Sequence, residues 1–131
     1  MELRYIPPEH LRAVWSRVRA GLEEVQASSP EPWLIEDVYH ALKTSAAQLF
    51  LAGPDAFVVS AVDVEPYSGT RVLHLWAGYS PPGTDVVDEA ITQLQRIARE
   101  AGCAAIRFGS TRKGWSKRYR IHSITYEVPV E

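Results

Sequence analysis

Basic and aromatic side chains are concentrated in residues 107–120, where the sequence has its clearest chemical pattern. Cations bind phosphate oxygens and aromatic rings stack on bases, so this mixture is typical of a phosphate or single-stranded nucleic-acid site. It is equally suited to an acidic protein surface. The segment contains no acid, and Trp115 and Tyr119 lie among its six cations: Arg107, Arg112, Lys113, Lys117, Arg118 and Arg120.

The rest of the chain favours a protein over a nucleic acid as the partner of this segment. The net charge is −2 and the sequence pI is about 6.1, whereas dedicated nucleic-acid domains are usually strongly basic. A solvated basic face next to the acidic helix predicted at 85–100 is the structural alternative. We predict a protein partner, either a structural protein of a larger particle or a second copy of this chain, with a nucleic acid as the alternative. The predicted contact residues are Arg112, Lys113, Trp115, Lys117 and Arg118.

Cysteine and histidine offer little further chemistry. Cys103 is the only thiol and lies among alanines, with no identifiable base near it in the sequence, so we interpret it as a buried small side chain. His74 lies between Leu73 and Leu75 in a predicted strand, and we interpret it as a packed histidine rather than a catalytic one. The four histidines are scattered, without the spacing of a zinc site, so no metal site is predicted.

Length and composition predict one domain spanning residues 1–131. The chain has 131 residues, of which 46% are hydrophobic and 23% charged, enough for a single core. It contains no apolar stretch of roughly 18–20 residues that could cross a membrane, so no membrane association is predicted. The N-terminus lacks the apolar centre of a signal peptide and a single cysteine cannot form an internal disulfide, which together favour the cytoplasm.

Two helices followed by three strands are predicted for the first part of the chain. Apolar residues recur every three or four positions from Leu11 to Val25, and again from Ile35 to Leu42. Prolines between these stretches separate the helices. The pattern then changes to strands at 47–52, 56–64 and 71–78, and the turn residues between them predict an antiparallel meander.

The second part of the chain predicts a crossover to a parallel strand. A helix over 85–101 ends at Gly102, the residue type that most easily adopts a left-handed helix terminus. The short strand at 104–108 follows this helix and should therefore lie parallel to strand 71–78. A short helix around Trp115 and a final strand over 123–130 complete the prediction.

This order of elements resembles the GNAT superfamily of acyl-CoA-dependent N-acetyltransferases over nearly the whole chain. The local match runs from Arg71 to Tyr119 and includes Ile97-Ala98-Arg99-Glu100-Ala101-Gly102-Cys103 before a strand. The resemblance implies an α+β fold with a mixed, mainly antiparallel sheet and helices on both faces. In such folds the two parallel strands splay apart to admit the cofactor, and we expect Phe108, Trp76 or other side chains to fill that gap here.

A second resemblance concerns the source of the chain. The sequence Arg112-Lys113-Gly114-Trp115, followed by Tyr119, is similar to GNAT-like proteins of tailed bacteriophages. It implies a protein associated with the phage particle, located in the host cytoplasm or the virion.

The cofactor loop departs from the pattern of active GNAT enzymes, which is approximately Gln/Arg-x-x-Gly-x-Gly/Ala. In the corresponding stretch, 79–84, only Gly83 matches. Pro81 and Pro82 have no N–H to offer a pyrophosphate, and acids occupy the first turn of the helix that follows. We therefore predict that acetyl-CoA binding is lost and that the chain has no cofactor. If the chain is an enzyme, acetyl-CoA is the cofactor and Gly83 and Thr84 contact it.

Two functions follow from the resemblance. The first is a non-catalytic binding or assembly module of GNAT-like fold, associated with a phage virion. The alternative is an N-acetyltransferase in which an unidentified amine attacks the thioester of acetyl-CoA directly. For that alternative the resemblance implies a general base and a general acid, and the positional candidates are Glu65 and Tyr119.

Overall fold

The computed structural model describes residues 2–28, 31–109 and 117–130. Its helices and strands follow the predicted order, preceded by one strand and one 3-10 turn that the sequence pattern did not indicate. The elements are β1 Leu3–Ile6, the 3-10 turn Pro8–His10, α1 Leu11–Ser28, α2 Ile35–Lys43, β2 Gln48–Ala52, β3 Ala56–Val64, β4 Arg71–Tyr79, α3 Val86–Glu89, α4 Ile91–Glu100 and β5 Ala105–Arg107.

The five strands form one sheet in the order β1-β2-β3-β4-β5. The pairs from β1 to β4 are antiparallel, which confirms the predicted meander. β5 lies parallel to β4, with Val72 opposite Ala105 and His74 opposite Arg107, as the helical crossover predicts. The sheet is therefore mixed and mainly antiparallel, and the fold class is α+β.

Helices cover the sheet on both faces and divide the core into two clusters. On the α1/α2 face, Leu49, Phe57 and Val59 pack against the first two helices. On the α3/α4 face, Val58 and Leu73 pack against the other two. Because both faces are covered, β2 and β3 show runs of apolar residues instead of a regular alternation.

A β-bulge in β4 changes which face its side chains occupy. Ser60 lies opposite Leu75 while Val59 lies opposite Ala77, so Trp76 is the additional residue. Before the bulge His74 points to the α1/α2 face, opposite to Leu73 and Leu75. After it, both Trp76 and Ala77 pack against the α1/α2 cluster. Strand alternation places His74 and Trp76 on the same face, at the end of the segment paired with β5, and the bulge adds Ala77 to that face.

Three local predictions differ from the structure. The helix predicted over 85–101 is divided at Ala90, where the backbone leaves the helical region with φ −103° and ψ 10°. The strand β1 was not predicted, because its four residues before Pro7 are too few to show a recognisable alternation of apolar and polar side chains. The strand predicted over 123–130 is wrong: these residues have no regular secondary structure. Alternating residues suit a strand, but a strand also needs a neighbour to pair with.

Gly102 and the membrane-spanning potential of the helices are two further points of comparison with the sequence. Gly102 has φ +73° and follows α4, as predicted for a left-handed helix terminus. The short helix predicted around Trp115 lies outside the described residues. Among the described helices, none has the length and apolar character needed to cross a membrane.

Gly21 allows α1 to approach the sheet closely, and its replacement tests this packing. A Cβ at Gly21 would lie 2.5 Å from Phe57 Cε2 and 3.0 Å from Tyr79 Cδ2, and the two rings are stacked on each other with Phe57 buried. Although alanine is the better helix former, we expect Gly21→Ala to lower the free energy of unfolding by about 1–3 kcal/mol through overpacking.

Thermal unfolding followed by circular dichroism measures this change. Ser16→Ala, at an exposed position of the same helix, is the control and should leave the Tm unchanged or slightly raised. A higher Tm for Gly21→Ala than for the unaltered chain would contradict the close approach.

Candidate functional site

The clearest structural feature with functional meaning is a gap that opens between β4 and β5. β5 pairs with only three residues of β4, ending at the pair His74 and Arg107. β4 continues to Tyr79, and over Leu75–Tyr79 it is paired with β3 alone among the described strands. We call this stretch the open edge. A strand edge of this kind presents backbone N–H and C=O groups to any ligand that can pair with them.

A cleft of about 370 Å³ lies beside the point where the gap begins. Asp63 lies opposite Val72 in the β3/β4 register, so both face the α1/α2 side, as does His74. We call this the vertex cleft, because it adjoins the last pair of β4 and β5. Its lining residues are Asp63, Val64, Glu65, Pro66, Val72, His74 and Arg107.

An ion pair forms one wall of the vertex cleft. Arg107 Nη2 lies 2.7 Å from Glu65 Oε1, and Ser68 Oγ donates a hydrogen bond of 3.2 Å to Glu65 Oε2. The hydrogen bonds from Arg107 and then from Ser68 lower the pKa of Glu65 below the usual value of a glutamate. Glu65 is therefore charged at neutral pH and is a weaker base than an unpaired glutamate.

Two tryptophans lie on the same face next to the cleft. Trp33, from the segment before α2, packs edge-on against Trp76 with ring centroids 5.9 Å apart. Trp76 follows His74 by two residues on β4, so the aromatic pair continues the row of side chains along the gap. Phe108 instead packs on the α3/α4 face, with its ring 6.1 Å from that of Tyr119. The two residues expected to fill the gap thus pack on opposite faces.

The loop at the far end of the open edge is closed by its own side chains. Ser80 Oγ donates to the carbonyl of Thr84 and accepts from the N–H of Val86, at 3.0 and 3.3 Å. The Asp85 carboxylate accepts from the N–H of Asp88 at 3.2 Å. Gly83 has φ +87°, a backbone conformation that residues other than glycine rarely adopt. No atom lies within 4 Å of a Cβ built at this position.

Asp88 holds the C-terminal part of the chain against α3. Its carboxylate accepts hydrogen bonds from Arg118 Nη1 at 2.6 Å and from the Tyr119 hydroxyl at 2.9 Å. Burial and the hydrogen bond to Asp88 raise the pKa of Tyr119, so Tyr119 is protonated at neutral pH. We call these contacts the Asp88 clamp. The clamp compensates the charge of one of the acids near the cofactor loop.

The structure separates the residues that the sequence suggested for catalysis. Glu65 is at the vertex cleft on the α1/α2 face, whereas Tyr119 contacts α3 on the opposite face. Gly83 and Thr84 lie in the loop past the end of β4. Their roles stay predictions.

Of the predicted partner-binding residues, Arg118 belongs to the Asp88 clamp and Lys117 is exposed. Arg112, Lys113 and Trp115 lie outside the described residues. The protein partner, the non-catalytic role and the link to phage particles therefore stay predictions.

Sequence reasoning missed His74, Trp76 and Arg107 as neighbours at one site. Strand alternation placed His74 opposite Leu73 and Leu75, but it could not show that β5 ends opposite this residue. The one signal in the sequence that could have indicated where the pairing with β4 ends was the shortness of the strand after Gly102. Among the described residues, no group of histidine, cysteine and carboxylate side chains is arranged to hold a metal ion.

A larger depression of about 910 Å³ lies elsewhere on the surface. It is lined by β1, the turn between β2 and β3, and the loop before α3, and it includes Leu3, Gly53 and Thr84. It contains none of the residues of the vertex cleft, so the two are separate sites.

No known family profile and no curated protein matches the sequence. Solved structures with the same fold do exist. A ribosomal-protein-alanine N-acetyltransferase from Brucella melitensis biovar Abortus 2308 is 15% identical, with 99% of each chain covered and a TM-score of 0.67. A predicted acetyltransferase from Clostridium acetobutylicum, solved with acetyl-CoA, is 15% identical, with 99% and 95% covered and a TM-score of 0.65. An aminoglycoside acetyltransferase from a soil metagenome, in complex with sisomicin, is 10% identical, with 99% and 96% covered and a TM-score of 0.68. The chain therefore has the GNAT fold.

These structures contradict the prediction that the chain has no cofactor, because the proteins with this fold are acetyltransferases and one of them contains acetyl-CoA. The prediction considered only the loop 79–84 and the acids that follow it. It missed the open edge of β4, and it counted Asp88 as an uncompensated charge although Arg118 and Tyr119 bind it.

The ion pair between Glu65 and Arg107 gives a pH-dependent prediction. Because the folded-state pKa of Glu65 is lowered, the pair contributes stability above the usual pKa of a glutamate and loses it as the pH falls through the lowered value. Arg107→Gln removes the guanidinium, whose hydrogen bond lowers the pKa of Glu65 most, so we expect this pKa to rise toward its usual value. Carboxyl-carbon NMR titration measures the shift.

Arg96→Gln, at an exposed position of α4, is the control and should leave the titration of Glu65 unchanged. An unchanged Glu65 midpoint in Arg107→Gln would show that the ion pair does not form in solution.

Proposed function

We propose that this protein is an acetyl-CoA-dependent N-acetyltransferase that transfers the acetyl group to a primary amine. The observation that carries the proposal is the open edge of β4, Leu75–Tyr79, adjoining a polar cleft at the end of β5. The GNAT fold supports it, since the proteins of this fold described above are acetyltransferases.

The open edge fits the pantetheine arm of the cofactor. Pantetheine contains two amide groups along an extended chain, and an unpaired strand offers N–H and C=O groups that can pair with them, as strands do with extended peptides. The residues that would hold it are the backbones of Leu75–Tyr79, and Gly83 and Thr84 lie in the loop that follows this strand. When bound, acetyl-CoA supplies a thioester carbonyl that an amine can attack, with the thiolate as leaving group.

The vertex cleft fits the amine. Asp63 and Glu65 make the cleft partly acidic, which favours binding of the acceptor amine in its protonated, ammonium form. The Glu65 carboxylate forms an ion pair with Arg107, and this ion pair holds the guanidinium in the wall of the cleft. The edge-to-face pair of Trp33 and Trp76 provides an apolar surface beside the cleft, against which the rest of the acceptor can pack.

His74 is the base that we propose for the transfer. The imidazole lines the cleft, is half-buried and lies where β4 and β5 part. Histidine can take a proton near neutral pH, so it can convert the ammonium of the acceptor into a nucleophilic amine. Glu65, the base suggested by the sequence, is the second candidate, and its lowered pKa makes it the weaker one. Tyr119 stays the candidate acid and is protonated at neutral pH.

Acetyl-CoA binding is the first property to measure. We expect calorimetry on the full chain to give a Kd of about 1–100 μM, equivalent to roughly −8 to −5.5 kcal/mol. A matched pair of variants locates the site: Gly83→Ala and Gly69→Ala both place a side chain at positive φ in open space, at opposite ends of β4. Each should cost about 1–2 kcal/mol of stability.

Only Gly83→Ala should weaken acetyl-CoA binding, by about tenfold, since the strain changes the loop at the end of the open edge. A Kd above about 1 mM for the unaltered chain contradicts the proposed function. Equal effects of the two variants on the Kd contradict the placement of the cofactor.

The role of His74 is tested by His74→Gln. We expect the release of CoA thiol in the presence of primary amines to fall by about 10²-fold or more, while acetyl-CoA binding is unchanged. His10→Gln, at an exposed position of the 3-10 turn before α1, is the control and should retain full activity. Full activity of His74→Gln would exclude His74 as the base.

A further inference from the structure

The charged side chains of the vertex cleft leave one carboxylate without a counter-ion. Glu65 and Arg107 lie 2.7 Å apart and neutralise each other in the wall of the cleft. Asp63 is exposed and lines the same cleft, and no ion pair or hydrogen bond joins it to another residue of the described chain. When His74 is neutral, the side chains that line the cleft therefore carry one net negative charge, which attracts one ammonium group.

Asp63, His74 and Trp76 follow one another along the α1/α2 face. Asp63 is paired with Val72, two residues before His74. Asp63 and His74 are therefore diagonal neighbours across β3 and β4, about 7–8 Å apart. Trp76 follows His74 by two residues on β4, about 6.5 Å further along the strand. The proposed base thus lies between a carboxylate on one side and an aromatic ring on the other.

Trp33, the partner of Trp76, is held in place by α1. Its carbonyl accepts a hydrogen bond of 2.6 Å from Gln26 Nε2, and Gln26 Oε1 accepts one of 2.8 Å from the N–H of Glu31. Trp33 and Trp76 pack edge-on and are both half-buried, so part of each side chain is open to solvent. This pair is a preformed apolar surface, and a preformed surface costs less to bind than one that must first be ordered.

The size and lining of the vertex cleft limit what it can enclose. Its volume of about 370 Å³ is near the lower end of the range for small-molecule sites, which is about 300–1,000 Å³. Since Glu65 and Arg107 are paired and His74 is the proposed base, Asp63 is the polar side chain of the lining left to bind a substrate. A substrate with many hydroxyl or amino groups would lose water here without gaining partners, which costs free energy. The apolar lining residues are Val64, Pro66 and Val72.

We propose that the acceptor is a primary monoamine that carries one flat apolar ring, joined to the nitrogen by a linker of about two carbons. The inference rests on the proposed function, because it names the class of amine for the same site. The nitrogen lies at His74, where Asp63 attracts its positive charge, and the ring packs on Trp33 and Trp76. The separation of about 6.5 Å between His74 and Trp76 along β4 sets the length of the linker.

The fold alone would suggest a different acceptor. One of the structures with this fold is an aminoglycoside acetyltransferase bound to sisomicin. An aminoglycoside carries several ammonium and hydroxyl groups, whereas the vertex cleft offers one uncompensated carboxylate, and its guanidinium repels further positive charge. Phenethylamine has the ring, the linker and the single ammonium group that the cleft fits.

Binding of amines without acetyl-CoA tests the acceptor class independently of transfer. We expect phenethylamine to bind at least about tenfold more tightly than butylamine or spermidine, as measured by NMR titration of the tryptophan indole signals of the full chain. Trp33→Leu should remove this advantage. Trp15→Leu is the matched control, because Trp15 is also half-buried on the α1/α2 face but packs against Tyr39, with ring centroids 4.8 Å apart. Circular dichroism checks that both variants keep their fold.

The role of Asp63 is tested by Asp63→Asn in the transfer reaction. We expect the KM for phenethylamine to rise by about tenfold while kcat changes by less than about twofold, since Asp63 attracts the ammonium and takes no proton. Glu100→Gln, at the exposed last residue of α4, also removes one negative charge and should change neither constant. An unchanged KM in Asp63→Asn, or a loss confined to kcat, overturns this role.

The acceptor class and the proposed function fail in different ways. Binding of spermidine or sisomicin as tight as that of phenethylamine overturns the acceptor class, and so does the absence of binding by any of these amines. Equal effects of Trp33→Leu and Trp15→Leu on phenethylamine binding also overturn it. If phenethylamine binds in the expected Trp33-dependent way but acetyl-CoA does not bind or no CoA is released, the cleft is a site for ring-bearing monoamines and the transferase function is excluded.

Discussion

The arrangement of the site depends on where β5 stops. β5 pairs with β4 for three residues and ends at Arg107, opposite His74, while β4 continues for five more residues along β3. A paired strand has no hydrogen-bonding groups left on that side, whereas an edge strand has a full row of them. The early end of β5 therefore converts the second half of β4 from an internal strand into an edge strand.

The face that His74 and Trp76 share gives this edge its chemical surroundings. Without the extra residue of the bulge, the regular alternation of β4 would place Ala77 on the α3/α4 face with Leu75. With it, Ala77 joins His74 and Trp76 on the α1/α2 face, where the segment before α2 contributes Trp33. The ion pair of Glu65 and Arg107 then links the end of β5 to the turn after β3. The backbone groups proposed for the cofactor and the side chains proposed for the amine thus meet at the same place.

Much of the fold could be predicted from the sequence because its signals are local. The periodicity of α1 and α2, the turn residues between the three antiparallel strands, and Gly102 after α4 each determine their own element. The parallel direction of β5 followed from the crossover helix. The site could not be predicted in the same way, since the end of a pairing and the position of a bulge depend on both strands. The acids after loop 79–84 were counted as free charges, but Asp88 is bound by Arg118 and Tyr119, thirty or more residues away.

The central claim is that the open edge of β4 receives the cofactor, and amide hydrogen exchange measured with and without acetyl-CoA tests it most directly. We expect acetyl-CoA to slow exchange at amides within Leu75–Tyr79, while Val72–His74, already paired with β5, and β2 remain as they were. Protection confined to the depression beside β1 and the β2–β3 turn, or no change at Leu75–Tyr79 under saturating acetyl-CoA, would contradict the claim.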